Sequence, residues 1–316
     1  MTFSDCSLSM FAAVSTWVYP LWKVAAGVGV ALAALMVVYF VLQLIVPRTA
    51  AIAWVAAKET LAQPFFYAVL LVAAGGLLVF VYLPYYTFGE DIKFVKDMGL
   101  NWIVLWSVVL ALFTASRSIA DEIDGRTALT VLSKPINRIG FILGKFLGVV
   151  GPVALVFIIL GALFLCSLSF KVEFEARESG GNDATAQACL DTMVQTLPGL
   201  VLALLETIVM SSIAVAISTR LPIVANLLIC FSIYVLGHLM PVLVDTSVGE
   251  NEIVHFVGTF LAAVLPVLDN FNIYGAISND KIVPWSYVAW AALYSALYST
   301  VAILLALLMF DSRDLG

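Results

Sequence analysis

The chain has 316 residues, of which 63% are apolar and only 11% are charged, and its formal net charge is −6. Soluble domains carry about 25% charged residues, so this composition excludes an ordinary water-soluble protein and indicates a lipid environment. The four cysteines are scattered without CxxC spacing and there are only two histidines, which argues against a zinc, haem or histidine-based metal site.

Long stretches without charge predict seven membrane-spanning helices, because about 20 apolar residues cross the hydrocarbon layer. The predicted spans cover residues 24–46, 65–84, 99–118, 139–167, 197–219, 221–243 and 284–310. The apolar stretch Ile253–Leu268 is too short for a comfortable crossing and predicts a re-entrant or half-buried helix. The expected fold class is therefore all-α, a polytopic transmembrane helical bundle.

The segment Arg48–Leu61, between the first two spans, is predicted to form an amphipathic helix in the membrane interface. Ile52, Val55 and Leu61 share one face at helical spacing, and the charged residues lie elsewhere. A plain linker ending at Pro64 is the alternative. The span before this segment is too long for the apolar core of a signal peptide and has no small-residue cleavage site, so we expect it to be retained.

The distribution of lysine and arginine predicts the orientation of the spans. Segments 47–64, 117–145, 219–221 and the C-terminus together hold nine basic residues, whereas the opposite side holds six. The basic side is expected to be cytoplasmic, which places the N-terminus outside and the C-terminus inside.

The segment 117–145 is the longest predicted cytoplasmic loop and the most charged part of the chain. After Arg117, its acidic residues come first and its basic residues follow, in the order Asp121, Glu122, Asp124, Arg126, Lys134, Arg138 and Lys145. A short helix is predicted over Thr127–Leu132. It ends before Pro135, because the residue before a proline avoids the helical region. Such a loop suits the docking of a soluble partner; a solvated loop with positively charged membrane anchors is the alternative.

The same loop resembles the permeases of the type 2 ABC transporter family. The resemblance lies in the pattern Glu122-Ile-x-x-Arg126-Thr127-x-x-x-x-Leu132-Ser-Lys-Pro135-Ile-x-Arg138-x-x-x-x-x-Gly144-Lys145. Two weaker similarities support it. The Arg48–Leu61 stretch is similar to the family's elbow helix, and Leu265-Pro-Val-Leu-Asp-Asn-Phe271 is similar to an element before its last span.

This resemblance implies a six-span permease core over residues 48–316, preceded by a tail and an extra span over 1–47. It implies an ATP-driven exporter in a bacterial inner membrane. Two permease copies, identical or different, would pair with ATPase subunits that bind ATP-Mg. Segment 119–138 would be the coupling loop, and its ATPase-contacting residues would be Glu122, Arg126, Thr127, Leu132, Pro135, Arg138 and Lys145.

This chain itself is expected to have no catalytic residues, no bound cofactor, no metal and no nucleic-acid partner. Gly140-Phe-Ile-Leu-Gly144-Lys145 is similar to a phosphate-binding loop, but the spacing is too short and Phe146 replaces the required Ser or Thr. Any ATP site therefore belongs to a partner subunit.

Glu206 is the only charge that interrupts the apolar stretch of the fifth predicted span, about 13 Å from the outer end at the helical rise. Intramembrane carboxyl groups are costly and often functional. Glu206, Ser211 and Ser212 are candidates to line the substrate path, and Glu206 is also a candidate proton relay. The alternative is that Glu206 only fixes helix packing, with the serines as interhelical hydrogen-bonding groups.

Two rival functions remain at this point: a proton-coupled secondary transporter using Glu206, and a non-transporting membrane assembly subunit. Two structural alternatives also remain. The small residues Ala73–Gly76 fit either a dimer contact or packing within the chain. Cys166 and Cys189 both lie near the predicted outer side, where a disulfide can form.

Overall fold

A computed structural model describes residues 17–82, 91–124, 137–178, 185–247, 260 and 264–311. The described residues form helices and no strand. The helices are α1 (Leu21–Ile45), α2 (Pro47–Ala62), α3 (Pro64–Tyr82), α4 (Asp91–Asp124), α5 (Arg138–Glu178), α6 (Ala186–Ser218), α7 (Ile223–Ser247), α8 (Tyr274–Ser278) and α9 (Trp285–Asp311), with a 3-10 turn at Leu268–Phe271 before α8.

Seven of these helices, all except α2 and α8, are long and apolar enough to cross a membrane. They coincide with the seven predicted spans, so the prediction of a polytopic helical bundle is confirmed. Three helices extend furthest beyond their predicted limits: α4 begins at Asp91, α5 continues to Glu178, and α6 begins at Ala186. The charges that suggested span ends do not end the helices, because Lys171 of α5 pairs with Asp91 at 2.9 Å.

The helices run alternately between two ends of the bundle. We call the end with Asp124 and Arg138, which flank the 125–137 connection, the loop end, and the opposite end the distal end. α6 is the central helix and packs against α4, α5, α7 and α9, whereas α3 packs against α4 and α5. The central position of α6 agrees with its burial, because 67% of its most apolar 18-residue stretch is buried within the chain.

The first span, α1, lies at the periphery of the bundle. None of the residues in its most apolar stretch is buried, and among the described helices it packs mainly against α2 and α5. Its contacts include the aromatic pair Tyr39–Trp54 with α2, while Trp17, just before it, meets Phe170 of α5 edge to face. This position agrees with a span added outside a core bundle.

Residues 264–278, which we call the distal segment, pack inward between α4, α6 and α7. Leu268, Phe271 and Ile277 are fully buried. Glycines on the neighbouring helices make room for them: a Cβ on Gly199 would lie 2.6 Å from Ile277 Cδ1, and one on Gly237 would lie 2.8 Å from Leu268 Cγ. The half-buried helix predicted over 253–268 falls mostly outside the described residues, but its last residue takes part in this packing.

Candidate functional site

The predicted coupling loop connects the two long helices α4 and α5 at the loop end. Glu122 lies in the last turn of α4, and Arg138 is the first residue of α5. The remaining predicted contact residues, Arg126, Thr127, Leu132 and Pro135, lie outside the described residues.

The two helices that flank this loop are joined by a buried polar contact near its base. Lys145 of α5 is 3% exposed and donates a hydrogen bond from Nζ to Ser118 Oγ of α4 at 3.1 Å. The sequence predicted Lys145 as an ATPase contact. That contact stays a prediction. Within the chain the buried ammonium group lies between the two helices, where its hydrogen bond to Ser118 links α5 to α4.

A second polar contact ties α4 to α6 and α7 at the same end. Asn226 of α7 is fully buried, and its Nδ2 donates to Ser116 Oγ at 2.8 Å and to the Ala214 carbonyl at 3.1 Å. Cys230, one turn further along α7, donates from Sγ to Asn226 Oδ1 at 3.1 Å. Three helices thus meet at one amide, so α4 cannot shift at this level without moving or breaking these bonds.

The third connection at the loop end is a groove of glycines on α5, into which α2 packs. Four glycines three or four residues apart form the groove: Gly140, Gly144, Gly148 and Gly151. A Cβ on Gly148 would lie 2.5 Å from Ala56 Cβ and 3.0 Å from the Ala53 carbonyl oxygen. The two backbones approach this closely only because the groove has no side chains.

The helix predicted over Arg48–Leu61 is present as α2, and two of its faces differ in burial. The small residues of one face, Thr49, Ala50, Ala53 and Ala56, are buried. Val55, from the predicted apolar face, is 64% exposed, and the neighbouring Trp54 is 57% exposed. An exposed apolar face beside a buried small-residue face suits a helix held between the bundle and lipid.

Glu206 lies in the middle of the bundle and is fully buried. Its Oε1 is 3.3 Å from Nε2 of His238 on α7, and neither carboxyl oxygen has a well-aligned hydrogen bond among the described residues. The Tyr274 hydroxyl of α8 is also buried and lies close enough to interact with this carboxyl, but without good hydrogen-bond alignment. Through Tyr274, the distal segment contacts the site around Glu206.

The two serines predicted beside Glu206 are satisfied within their own helix. Ser211 Oγ donates to the Thr207 carbonyl at 2.6 Å, and Ser212 Oγ donates to the Val209 carbonyl at 2.7 Å. Both are fully buried. The carboxyl group of Glu206 is therefore the group on this part of α6 that still has bonding capacity.

The distal end carries two ion pairs that link separate elements. Lys171 of α5 pairs with Asp91 of α4, and Lys96 of α4 pairs with Asp280 at 2.6 Å. Both lysines are at most 2% exposed on their side chains. Among the described residues, no group of three or more histidine, cysteine or acidic side chains is arranged to hold a metal ion.

Comparison with known protein families decides the class of this architecture. The family model described as ABC-2 family transporter protein matches residues 93–315, which is more than half of the chain. The chain belongs to the ABC-2 transporter family. No curated protein matches the chain at a significant level.

The protein is thus an integral membrane permease subunit of an ABC transporter, as the resemblance in the loop predicted. The family match begins inside α4, so α1, α2 and α3 lie outside it. Members of this permease family are typically not themselves catalytic.

The structure of the permease also resolves smaller alternatives from the sequence. Ala73 and Gly76 pack within the chain, while the dimer contact stays a prediction: the Ala73 carbonyl accepts a hydrogen bond from Trp102 Nε1 at 3.1 Å, and a Cβ on Gly76 would overlap the same indole. Cys166 and Cys189 are free thiols. Cys189 Sγ contacts the Ser169 carbonyl at 3.7 Å.

Sequence reasoning missed His238 and Asn226, which complete the two buried polar sites. Each is a single polar residue in an apolar stretch, the signal that singled out Glu206. His238 carried the stronger signal, because an ionisable side chain within a span needs a partner, and Glu206 is the other ionisable residue at that depth.

Proposed function

We propose that this permease forms the membrane path of an exporter and receives the energy of ATP hydrolysis through segment 119–138, from a separate ATPase subunit. The active assembly would contain two permease copies and two ATPase subunits that bind ATP-Mg. Glu122, Arg126 and Arg138 would contact the ATPase, while Lys145 would transmit the motion inside the membrane.

One observation carries the proposal: both helices that flank the loop are fastened at its base to the rest of the bundle. Lys145 joins α5 to α4, Asn226 joins α4 to α6 and α7, and the glycine groove joins α5 to α2. A force applied to the loop would therefore move several helices together, because buried polar contacts and close-packed backbones have few intermediate arrangements.

The charges of the loop suit a contact in which the permease and the ATPase must be aligned with each other as well as bound. Opposite charges across an interface set the rate of association and the alignment of the partners. Glu122 and Arg126 are one helical turn apart in sequence, so reversing both keeps the net charge of the loop while inverting its pattern.

The test is the double variant Glu122→Lys with Arg126→Glu, in a complex with the ATPase subunit. We expect loss of ATPase co-purification or of cargo-stimulated hydrolysis, with unchanged thermal stability of the permease. Asp191→Lys is the matched control, because Asp191 is an exposed acidic residue at the distal end. If the double variant binds and couples as the wild type does, the loop is not the coupling element.

The sequence left a proton-driven secondary transporter as an alternative; the contact between Glu206 and the partly exposed His238 favours it, whereas the family match argues against it. It predicts uptake or export that follows a proton gradient in vesicles lacking any ATPase. Cargo movement that requires the ATPase subunit and ATP, with no imposed gradient, would reject it. The same assay rejects a non-transporting assembly subunit, which would move no cargo under either condition.

A further inference from the structure

We propose that Glu206 and His238 hold a single proton between them, and that this proton keeps the distal segment seated in the bundle. The proposal adds a proton-binding site to the permease. It rests on the proposed function only where it treats release of the distal segment as a step of export.

The two contacts of the His238 ring require a proton between Nε2 and Glu206. Nδ1 lies 3.1 Å from the Tyr234 carbonyl oxygen, which can only accept, so Nδ1 must carry a hydrogen. In a neutral imidazole the other nitrogen, Nε2, then carries a lone pair. This lone pair faces Glu206 Oε1 at 3.3 Å. Without a proton between them, two electron-rich atoms would face each other in a buried site, which is repulsive.

The surroundings favour the form in which the proton sits on Glu206. The carboxyl group is fully buried, and a carboxylic acid donating to a neutral imidazole avoids two separated charges in an apolar environment. On α7, His238 and Tyr234 face this site. On α8, Tyr274 faces it.

Two carboxylates among the described residues also influence the site. Asp269 of the 3-10 turn interacts electrostatically with Glu206, and Asp97 of α4 interacts electrostatically with Tyr274. The helices α5 and α9 also pack against α6, but no titratable group from either is among those that act on Glu206. A negative charge on Glu206 would thus face the like charge of Asp269.

The proton is linked to the distal segment through Tyr274. This residue is 1% exposed, its hydroxyl faces the Glu206 carboxyl, and its helix follows directly on the buried residues Leu268 and Phe271. If Glu206 loses its proton, the carboxylate must gain water, and water can reach it only if one of the covering elements moves. The distal segment is the shortest of these elements and the one not anchored as a spanning helix.

The sign of the effect follows from this linkage. The seated state binds the proton and the released state, in which Glu206 meets water, binds it less tightly. Seating is therefore complete at low pH and is lost as pH rises. Over the pH range in which the released state has lost the proton while the seated state still holds it, opening should increase about tenfold per pH unit, as expected for one linked proton.

The first experiment is infrared difference spectroscopy on the full-length permease in lipid nanodiscs, without ATPase. We expect the C=O stretch of a protonated carboxylic acid at neutral pH that disappears in Glu206→Gln. His238→Gln should shift this band, because it replaces the acceptor. Absence of a Glu206 carboxylic acid band at neutral pH would overturn the proposal.

The second experiment is hydrogen–deuterium exchange of peptides covering residues 264–278, measured across alkaline pH in the wild type and in Glu206→Gln. The ratio of the two rates removes the intrinsic pH dependence of exchange. We expect the ratio to rise with pH for the distal segment and to stay constant for α9. Equal rates in both proteins at every pH would refute the link. Neither experiment involves the ATPase, so failure here leaves the coupling proposal standing, and the reverse also holds.

Discussion

Replacing Gly148 with alanine should disrupt the packing of α2 in the glycine groove of α5. The added Cβ would lie 2.5 Å from Ala56 Cβ and 3.0 Å from the Ala53 carbonyl oxygen. Two carbon atoms in contact prefer about 3.5–4.0 Å, so the backbones must separate by about 1–1.5 Å. Overpacking of this kind costs about 1–3 kcal/mol.

The matched control is Gly151→Ala in the same groove, where the nearest atom to the new Cβ, Ala57 Cβ, is 4.0 Å away. Both variants gain the same preference of alanine over glycine in a helix, about 1 kcal/mol, which therefore cancels in the comparison. We expect Gly148→Ala to be less stable than Gly151→Ala by about 1–3 kcal/mol. The measurement is the free energy of unfolding by steric trapping in bicelles.

A double-mutant cycle identifies the contact responsible. Ala56→Gly removes the methyl group that Gly148→Ala meets, so the two substitutions combined should be more stable than the sum of their separate effects predicts. Recovery should be partial because the Ala53 carbonyl still lies close. Equal stability of Gly148→Ala and Gly151→Ala, or strict additivity in the cycle, would show that α2 does not sit in this groove.

Three further substitutions test the other contacts by unfolding measurements in the same bicelles. Lys145→Met removes the donor to Ser118 and should cost about 1–3 kcal/mol; a neutral effect would mean that Lys145 faces the surface. Asn226→Ala breaks two interhelical hydrogen bonds and should cost about 1–2 kcal/mol, and no change would show that this amide does not join the helices. Asp280→Asn keeps the left-handed backbone (φ 56°) but removes the charge paired with Lys96. We expect a loss below the about 3–5 kcal/mol of fully buried pairs, because Asp280 is 60% exposed, and stability equal to the wild type would rule out the pair.

The spans were predictable from the sequence because a membrane imposes one constraint on every crossing. Each backbone group must be paired within its helix and about 20 residues must be apolar, so hydropathy alone locates the helices. Helix ends were less predictable. Lys171 and Glu173 suggested an end at residue 167, but their charges are paired with Asp91 and Arg177, and α5 continues to Glu178.

The candidate sites were predictable only in part, because sequence shows single residues and the sites depend on pairs. Glu206 was found as an isolated charge in a span, but its partner His238 is 32 residues away and its cover, Tyr274, is 68 residues away. The glycines of α5 were visible as a pattern. What packs on them was not, because small residues permit close contact without specifying the partner helix.

The central claim is that segment 119–138 contacts a cytoplasmic ATPase, and a site-specific cross-link tests it most directly. A photoreactive amino acid replaces Leu132 in the full complex, and the same amino acid replaces Asn279 at the distal end as the control. The account predicts a cross-link between position 132 and the ATPase that strengthens or weakens with bound ATP, and none from position 279. Failure of position 132 and its neighbours in 126–135 to reach the ATPase, in a complex that hydrolyses ATP and moves cargo, would contradict it.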